Sequence, residues 1–210
     1  DNWIDWVIVN WDPFFDAINK FVLFIQVPME KFLRWLPWWF VIVSTGAVAW
    51  RVAGKKIAAL SAFLYLLMAV LGLMDFAMQT LAIVITATIL AILIGLPIGI
   101  LGAKNDRADA LIRPMLDAMQ TMPSFVYLVP AIMLFGLGKT PAVMATVIYA
   151  VPPLIRLTNL GIRQVEPDAV DAARAFGATA RQLLVKVQLP MAMPTIMAGG
   201  NQTIMMALAM

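Results

Sequence analysis

From residue 79 to residue 103 the chain carries no charge at all. A bilayer-crossing helix needs about 20 mostly apolar residues, and this stretch supplies them. Similar stretches recur at 37–53 (a short one), 57–73, 115–138, 140–160 and from about 190 to the last residue, Met210. Asp117 stands near the start of the fourth. The whole chain is 62% hydrophobic and 13% charged, against about 25% charged residues in soluble domains. These features predict an all-α fold, a polytopic transmembrane helical bundle.

The residue inventory excludes several chemistries. With no Cys and no His, the chain has no disulfide, no thiolate nucleophile, no histidine base and no usual zinc set. Its only serines are Ser44, Ser61 and Ser124, and nothing is present to activate them. Asp75 and Asp117 fall at opposite span edges, so no intramembrane aspartyl pair forms. No G-x-x-x-x-G-K-[ST] phosphate loop occurs. The expectation is a protein that is no enzyme, with catalytic residues, metal and cofactor all none.

Residues 1–36 read differently from the rest. Phe14, Phe15, Ile18, Phe21, Val22 and Ile25 recur at helical spacing, with Asp16, Asn19 and Lys20 on the other side. That predicts an amphipathic surface helix, broken near Pro28. All seven Trp (Trp3, Trp6, Trp11, Trp35, Trp38, Trp39, Trp50) lie in the first 50 residues, the placement of an interfacial aromatic belt. An aromatic cage for a quaternary ammonium ligand is the alternative use of such rings. The opening "DNWIDWVIVN" has no initiator Met and no basic region, and "NQTIMMALAM" stops within an apolar run. The expectation is a fragment, truncated at the C-terminus with its last helix missing, and lacking residues at the N-terminus too.

Positive charges set the orientation. With the N-terminus outside, eleven Lys and Arg fall in inner loops (Arg51, Lys55, Lys56, Lys104, Arg107, Arg113, Arg156, Arg163, Arg174, Arg181, Lys186) and four outside (Lys20, Lys31, Arg34, Lys139). The positive-inside rule then places 161–189 in the cytoplasm. Pro97, Pro123, Pro130, Pro152 and Pro153 interrupt the middle spans. Each removes a helix hydrogen bond and invites a kink, which a membrane tolerates where protein or a water-filled cavity satisfies the freed carbonyls. Broken helices line the path in transporters, although Gly and Pro also serve ordinary helix packing. Gln120, Thr121, Pro123, Ser124, Tyr127 and Asn201 are the candidate path residues. Their polar groups equally suit interhelical hydrogen bonds.

The cytoplasmic segment is the most patterned part of the chain. Pro167 suits a first helical turn, with Glu166 and Asp168 at its positive end. Gly177 suits a left-handed cap, and Thr179 to Gln182 reads as a capping box opening a second helix that ends at Pro190. The prediction is helix, glycine bend, helix. Ala169, Ala172, Ala173 and Phe176 share a face where small residues admit another surface and Phe176 offers an anchor. A helix pair lying on lipid, with Arg174, Arg181 and Lys186 near the headgroups, is the competing use.

The spacing D-A-A, three residues, G, nine residues, V-x-L-P resembles the EAA loop of ABC importer permeases. The resemblance maps onto Asp171, Ala172, Ala173, Gly177, Val187, Leu189 and Pro190, with Asp for the usual Glu and Val for the usual Ile. "PMLDAMQTMPSFVYLVP" and "LPMAMPTIMAGGNQT" are similar to permeases of ProU-type glycine betaine/proline betaine importers, within the binding-protein-dependent inner-membrane component family. The likeness covers about residues 75–210. It implies a type I ABC importer permease (MetI-like) fold, with 1–36 an amphipathic segment, 37–74 two accessory transmembrane helices and 75–210 the permease core. It implies an ATPase-coupling role for the loop residues just named together with Phe176. It implies as partners a cytoplasmic P-loop ATPase that binds the ATP, a periplasmic solute-binding protein and a second permease copy. The location implied is the bacterial inner membrane, multi-pass. The absence of charge in the third span, and in the fifth before Arg156, suits an uncharged or internally neutral solute. A channel or ion-coupled carrier would place ionisable groups there. Choline, carnitine or an amino acid are the alternative solutes, and a channel or ion-coupled carrier the alternative class.

Overall fold

The computed structural model describes residues 2–210, with side chains from Asn10 onward. Trp3 and Trp6 of the predicted aromatic belt lie outside the described side chains. Among the described residues there is no strand. Ten α-helices follow in order: α1 (Asn2–Trp35), α2 (Trp38–Ala53), α3 (Lys55–Val70), α4 (Met74–Lys104), α5 (Asp106–Thr121), α6 (Phe125–Phe135), α7 (Lys139–Arg163), α8 (Pro167–Ala175), α9 (Ala180–Leu183) and α10 (Leu189–Ala209). A π-helical segment, Leu184–Gln188, joins the last two. By length and apolarity α4 and α7 each suffice to cross a membrane. Two bent pairs, α1 with α2 and α5 with α6, bring the count to four if each pair is one span. The chain divides into two compact units, Asp16–Thr86 and Asp1–Phe15 with Ala87–Met210.

In the smaller unit, Leu33, Val41, Met78 and Ala82 form the core, with Tyr65 and Leu81 packed on it. The expected break at Pro28 is absent, since α1 runs unbroken to Trp35. A proline ring already has the helical φ, and the carbonyl it deprives belongs to Phe24, on a well exposed face. The break comes at Pro37, where the axis turns through 95°. Leu36, directly before a proline, is disfavoured in the α region. Arg34 reaches both Glu30 (3.7 Å) and Asp75 (3.5 Å). Gly54, at φ 88°, closes α2 and opens α3. These two helices have 16 residues each.

In the larger unit α7 is the central helix, buried along most of its length. Glycines let its neighbours approach. A Cβ on Gly99 of α4 would lie 2.6 Å from Thr158 Cβ, and one on Gly199 of α10 would lie 3.0 Å from Leu157 Cβ. Such small-residue contacts are how helices pack where lipid supplies no hydrophobic drive. Leu154, Ile162, Val165, Ala192 and Ile196 make one core, and Ala91, Leu116, Val151 and Ile155 another. Helices α4, α6 and α7 continue through Pro97, Pro130 and Pro152–Pro153. Of the prolines expected to interrupt the middle spans, Pro123 is the one at an opening, Met122–Ser124, where α5 and α6 meet at 100°.

Candidate functional site

The loop between α7 and α10 is built from local signals. Pro167 occupies the first turn of α8, with Asp168 beside it. The helix closes in a Schellman arrangement. Ala178 N–H donates to the Ala173 carbonyl (3.0 Å) and Gly177 N–H to the Arg174 carbonyl (2.9 Å). Gly177 sits at φ 79°, a region that glycine enters without steric cost. The capping box then forms in full. Thr179 Oγ1 accepts from Gln182 N–H (3.3 Å), and Thr179 N–H donates to Gln182 Oε1 (2.9 Å).

The second helix does not end at Pro190. After the single turn of α9 the ladder widens into the π segment, with Leu189 N–H donating to the Leu184 carbonyl. The chain then continues as α10 with Pro190 in its first turn. In an α-helix the Pro190 ring would clash with the Lys186 carbonyl and leave it without a donor. Widening the preceding turn shifts the bonding register before the proline arrives.

The loop has a fixed base and a bare tip. Val165, Val170, Leu184 and Leu189 belong to or pack on the core around Leu154, and Leu183 is buried beside them in the chain. Val187 is half-buried, as is Ala173, while Asp171, Ala172, Gly177 and Pro190 are exposed. Asp171 and Arg174 pair at 3.6 Å. Phe176 is 93% exposed. A fully solvated phenyl ring on a doubly capped loop is an unsatisfied apolar surface held in one place.

The break between α5 and α6 gathers five of the six candidate path residues. Gln120, Thr121 and Pro123 are exposed there and Ser124 is half-buried. Tyr127 is buried, and its hydroxyl donates to the Met119 carbonyl at 2.6 Å. Thr121 Oγ1 donates to the Ala118 carbonyl. Asn201 is on a different helix, exposed on α10 between the buried Gly199 and Thr203.

A polar network went unread in the sequence. Asp109 is only 7% exposed. It accepts from Asn159 Nδ2 (2.6 Å) and pairs with Arg113 (2.7 Å). Arg163, at the end of α7, reaches Asp106 (2.8 Å), Asn159 Oδ1 (2.8 Å) and the Gly102 carbonyl (2.7 Å), with Asp109 at 3.6 Å. About two turns away Arg156 pairs with Asp117. The available signal was two matching helical stripes, Asp106-Asp109-Arg113-Asp117 on α5 and Arg156-Asn159-Arg163 on α7.

Residues 95–209 match the model of the family described as "Binding-protein-dependent transport system inner membrane component". The chain is similar along its full length to the glycine betaine/proline betaine transport system permease protein ProW of Escherichia coli (strain K12). That match is 47% identical and covers 60% of the relative. The glycine betaine transport system permease protein OpuAB of Bacillus subtilis (strain 168) is 44% identical over the whole chain, with 74% of the relative covered. The glycine betaine/carnitine transport permease protein GbuB of Listeria monocytogenes serotype 1/2a (strain 10403S) is 42% identical, again over the whole chain, with 77% covered. The chain thus spans about three-fifths of the length of ProW. The helical membrane bundle, the match over 95–209 and these relatives together show that the chain belongs to the family of binding-protein-dependent transport system inner membrane components.

Proposed function

We propose that this chain is the membrane-spanning permease subunit of an ABC importer for glycine betaine/proline betaine-type solutes, driven by ATP hydrolysis on a separate subunit. The loop with its bare Phe176 tip carries this reading, because it offers a preformed surface for a cytoplasmic ATPase. The sequence holds no phosphate loop of its own, so ATP is bound by that partner and the permease needs no cofactor. A periplasmic binding protein delivers the solute, and a second permease copy completes the path. Residues 75–210 act as the core, 37–74 as accessory helices and 1–36 as an interfacial segment. The protein lies in the bacterial inner membrane with its N-terminus periplasmic, the orientation that puts eleven of fifteen Lys and Arg inside.

The substrate class rests on two supports. The relatives named above are transport permeases for glycine betaine, proline betaine or carnitine, and each of these molecules is a zwitterion. The third span carries no charge, as an internally neutral solute allows. Gln120, Thr121, Pro123, Ser124 and Tyr127 around the break, with Asn201, line the route.

The test is purification of the tagged full-length protein in mild detergent with identification of bound chains. A stoichiometric P-loop ATPase is expected, lost when Ala173 and Gly177 are replaced by bulky residues. Betaine-stimulated ATP turnover with a binding protein in liposomes is the second expected result. Absence of an ATPase, under conditions that keep a control importer whole, would overturn the proposal in favour of a channel or ion-coupled carrier.

A further inference from the structure

We propose that Arg163 is a positioning residue that ties the cytoplasmic loop to the broken helix pair, clamping the end of α7 to the end of α4 and the start of α5. The inference rests on the function proposed above.

The geometry is that of a hub. Arg163 stands four residues before Pro167 opens the loop, so anything that displaces α8 pulls on it directly. Its three guanidinium nitrogens are all engaged, Nε on Asn159, Nη1 on Asp106 and Nη2 on the Gly102 carbonyl. The Gly102 carbonyl belongs to the last turn of α4, and Asp106 opens α5. Asn159 passes the link on to Asp109, the buried carboxylate that Arg113 also holds. Gly102 is glycine for the same reason, since a Cβ there would lie 2.9 Å from Asn159 Nδ2. Along the same two helices Arg156 and Asp117 form a second tie. With two ties, α5 cannot slide on α7 at one end and stay fixed at the other. The C-terminal end of α5 is the break at Met122–Ser124, where the candidate path residues gather.

The cleft between these helices, about 340 Å³, has Ile112, Leu116 and Ile155 among its lining. Leu116 packs on Val151 and Ile155 beside this cleft, so apolar contact covers only part of the seam and the directional bonds fix the register of the pair. Only arginine fits this post, since a lysine ammonium is a point donor and cannot span acceptors placed around a planar fork.

The experiment compares wild type, Arg163→Gln, Arg163→Lys and Asp106→Asn in the full complex with ATPase and binding protein, reading solute uptake and ATP turnover in the same liposomes. Asp106 is 91% exposed on its side chain, so Asp106→Asn removes the charge from one bond, weakening it with little risk to folding. The expected result for Arg163→Gln is uptake per ATP lowered on the order of ten-fold with complex assembly intact. Arg163→Lys should not rescue, and Asp106→Asn should fall between. Reversing the second tie supplies the independent check. Arg156→Asp alone should lower the same ratio, and adding Asp117→Arg should restore it. A wild-type ratio in Arg163→Gln, or equal loss of uptake and turnover, overturns the clamp and leaves the proposed function standing. A wild-type complex that neither binds ATPase nor transports removes the proposed function and the clamp with it.

Discussion

The hydroxyl of Tyr127 donates to the carbonyl of Met119 at 2.6 Å, and the reason lies between them. In a continuous helix that carbonyl would accept from the N–H four residues on, but residue 123 is proline and has none. The tyrosine on α6 supplies the donor that the break in α5 took away. Tyr127 was a candidate path residue by sequence; in the structure its polar atom is already committed to holding the bend.

Tyr127→Phe should therefore act on the bend. It removes one hydroxyl, keeps the ring and leaves a carbonyl without its donor, at a cost of about 1–3 kcal/mol. Thermal unfolding of the detergent-solubilised protein should register the loss. Unchanged stability would mean that water already serves the Met119 carbonyl and that the hydroxyl is free to face solute.

Gly99→Ala should be severe for a methyl group. The new Cβ would stand 2.6 Å from Thr158 Cβ and 2.9 Å from the Ile155 carbonyl. The second of these is backbone and cannot rotate away. Overpacking of this kind costs about 1–3 kcal/mol. Gly200→Ala is the matched control, since a Cβ there meets nothing within 4 Å and its φ is not positive. Equal melting temperatures for the two variants would show that α4 and α7 are not in close contact at Gly99.

The long apolar stretches were legible because their signal is local: α4 and α7 sit over the spans expected at 79–103 and 140–160. The caps of the loop were legible for the same reason, each depending on residues within five of one another. The prolines were not. Pro28, Pro97, Pro130, Pro152 and Pro153 sit inside helices, whereas Pro37 and Pro123 mark breaks. A proline beyond the first turn of a helix strands a carbonyl, but whether the helix ends depends on what else packs against that turn, which no local pattern states. Pro190 shows a third outcome, a helix that changes its winding to accommodate the ring. The α5–α7 network was missed for a related reason. Arg156 and Arg163 were counted as charges that orient the chain, and their carboxylate partners 39 to 57 residues away appear only once α5 lies along α7.

Phe176→Ala should separate folding from docking. The ring is almost wholly exposed, so its removal should leave the unfolding transition of the isolated permease unchanged. An aromatic anchor at the centre of an interface is worth about 2 kcal/mol or more when truncated. Titration of a P-loop ATPase onto the detergent-solubilised permease should show a weaker dissociation constant by an order of magnitude or more. A lowered melting temperature with unchanged ATPase affinity would place the ring in the fold and not in an interface.

Gly177 gives the last test, because its constraint is conformational alone. A Cβ at Gly177 meets nothing within 4 Å, yet the backbone is at φ 79°. Gly177→Val therefore adds no clash, and its strain, about 1–2 kcal/mol, comes from the left-handed conformation itself. That strain is relieved by unwinding the Schellman turn, which would release the bonds from Gly177 and Ala178 to Arg174 and Ala173. The base of the loop, held by Val165, Leu184 and Leu189 at the core, should not move. Gly177→Val should then insert and melt as wild type but transport poorly, and Gly177→Asn, whose side chain tolerates this conformation, should transport better than the valine variant. Normal solute uptake by Gly177→Val would show that the orientation of the Phe176 tip does not matter, and the docking role of the loop would be lost.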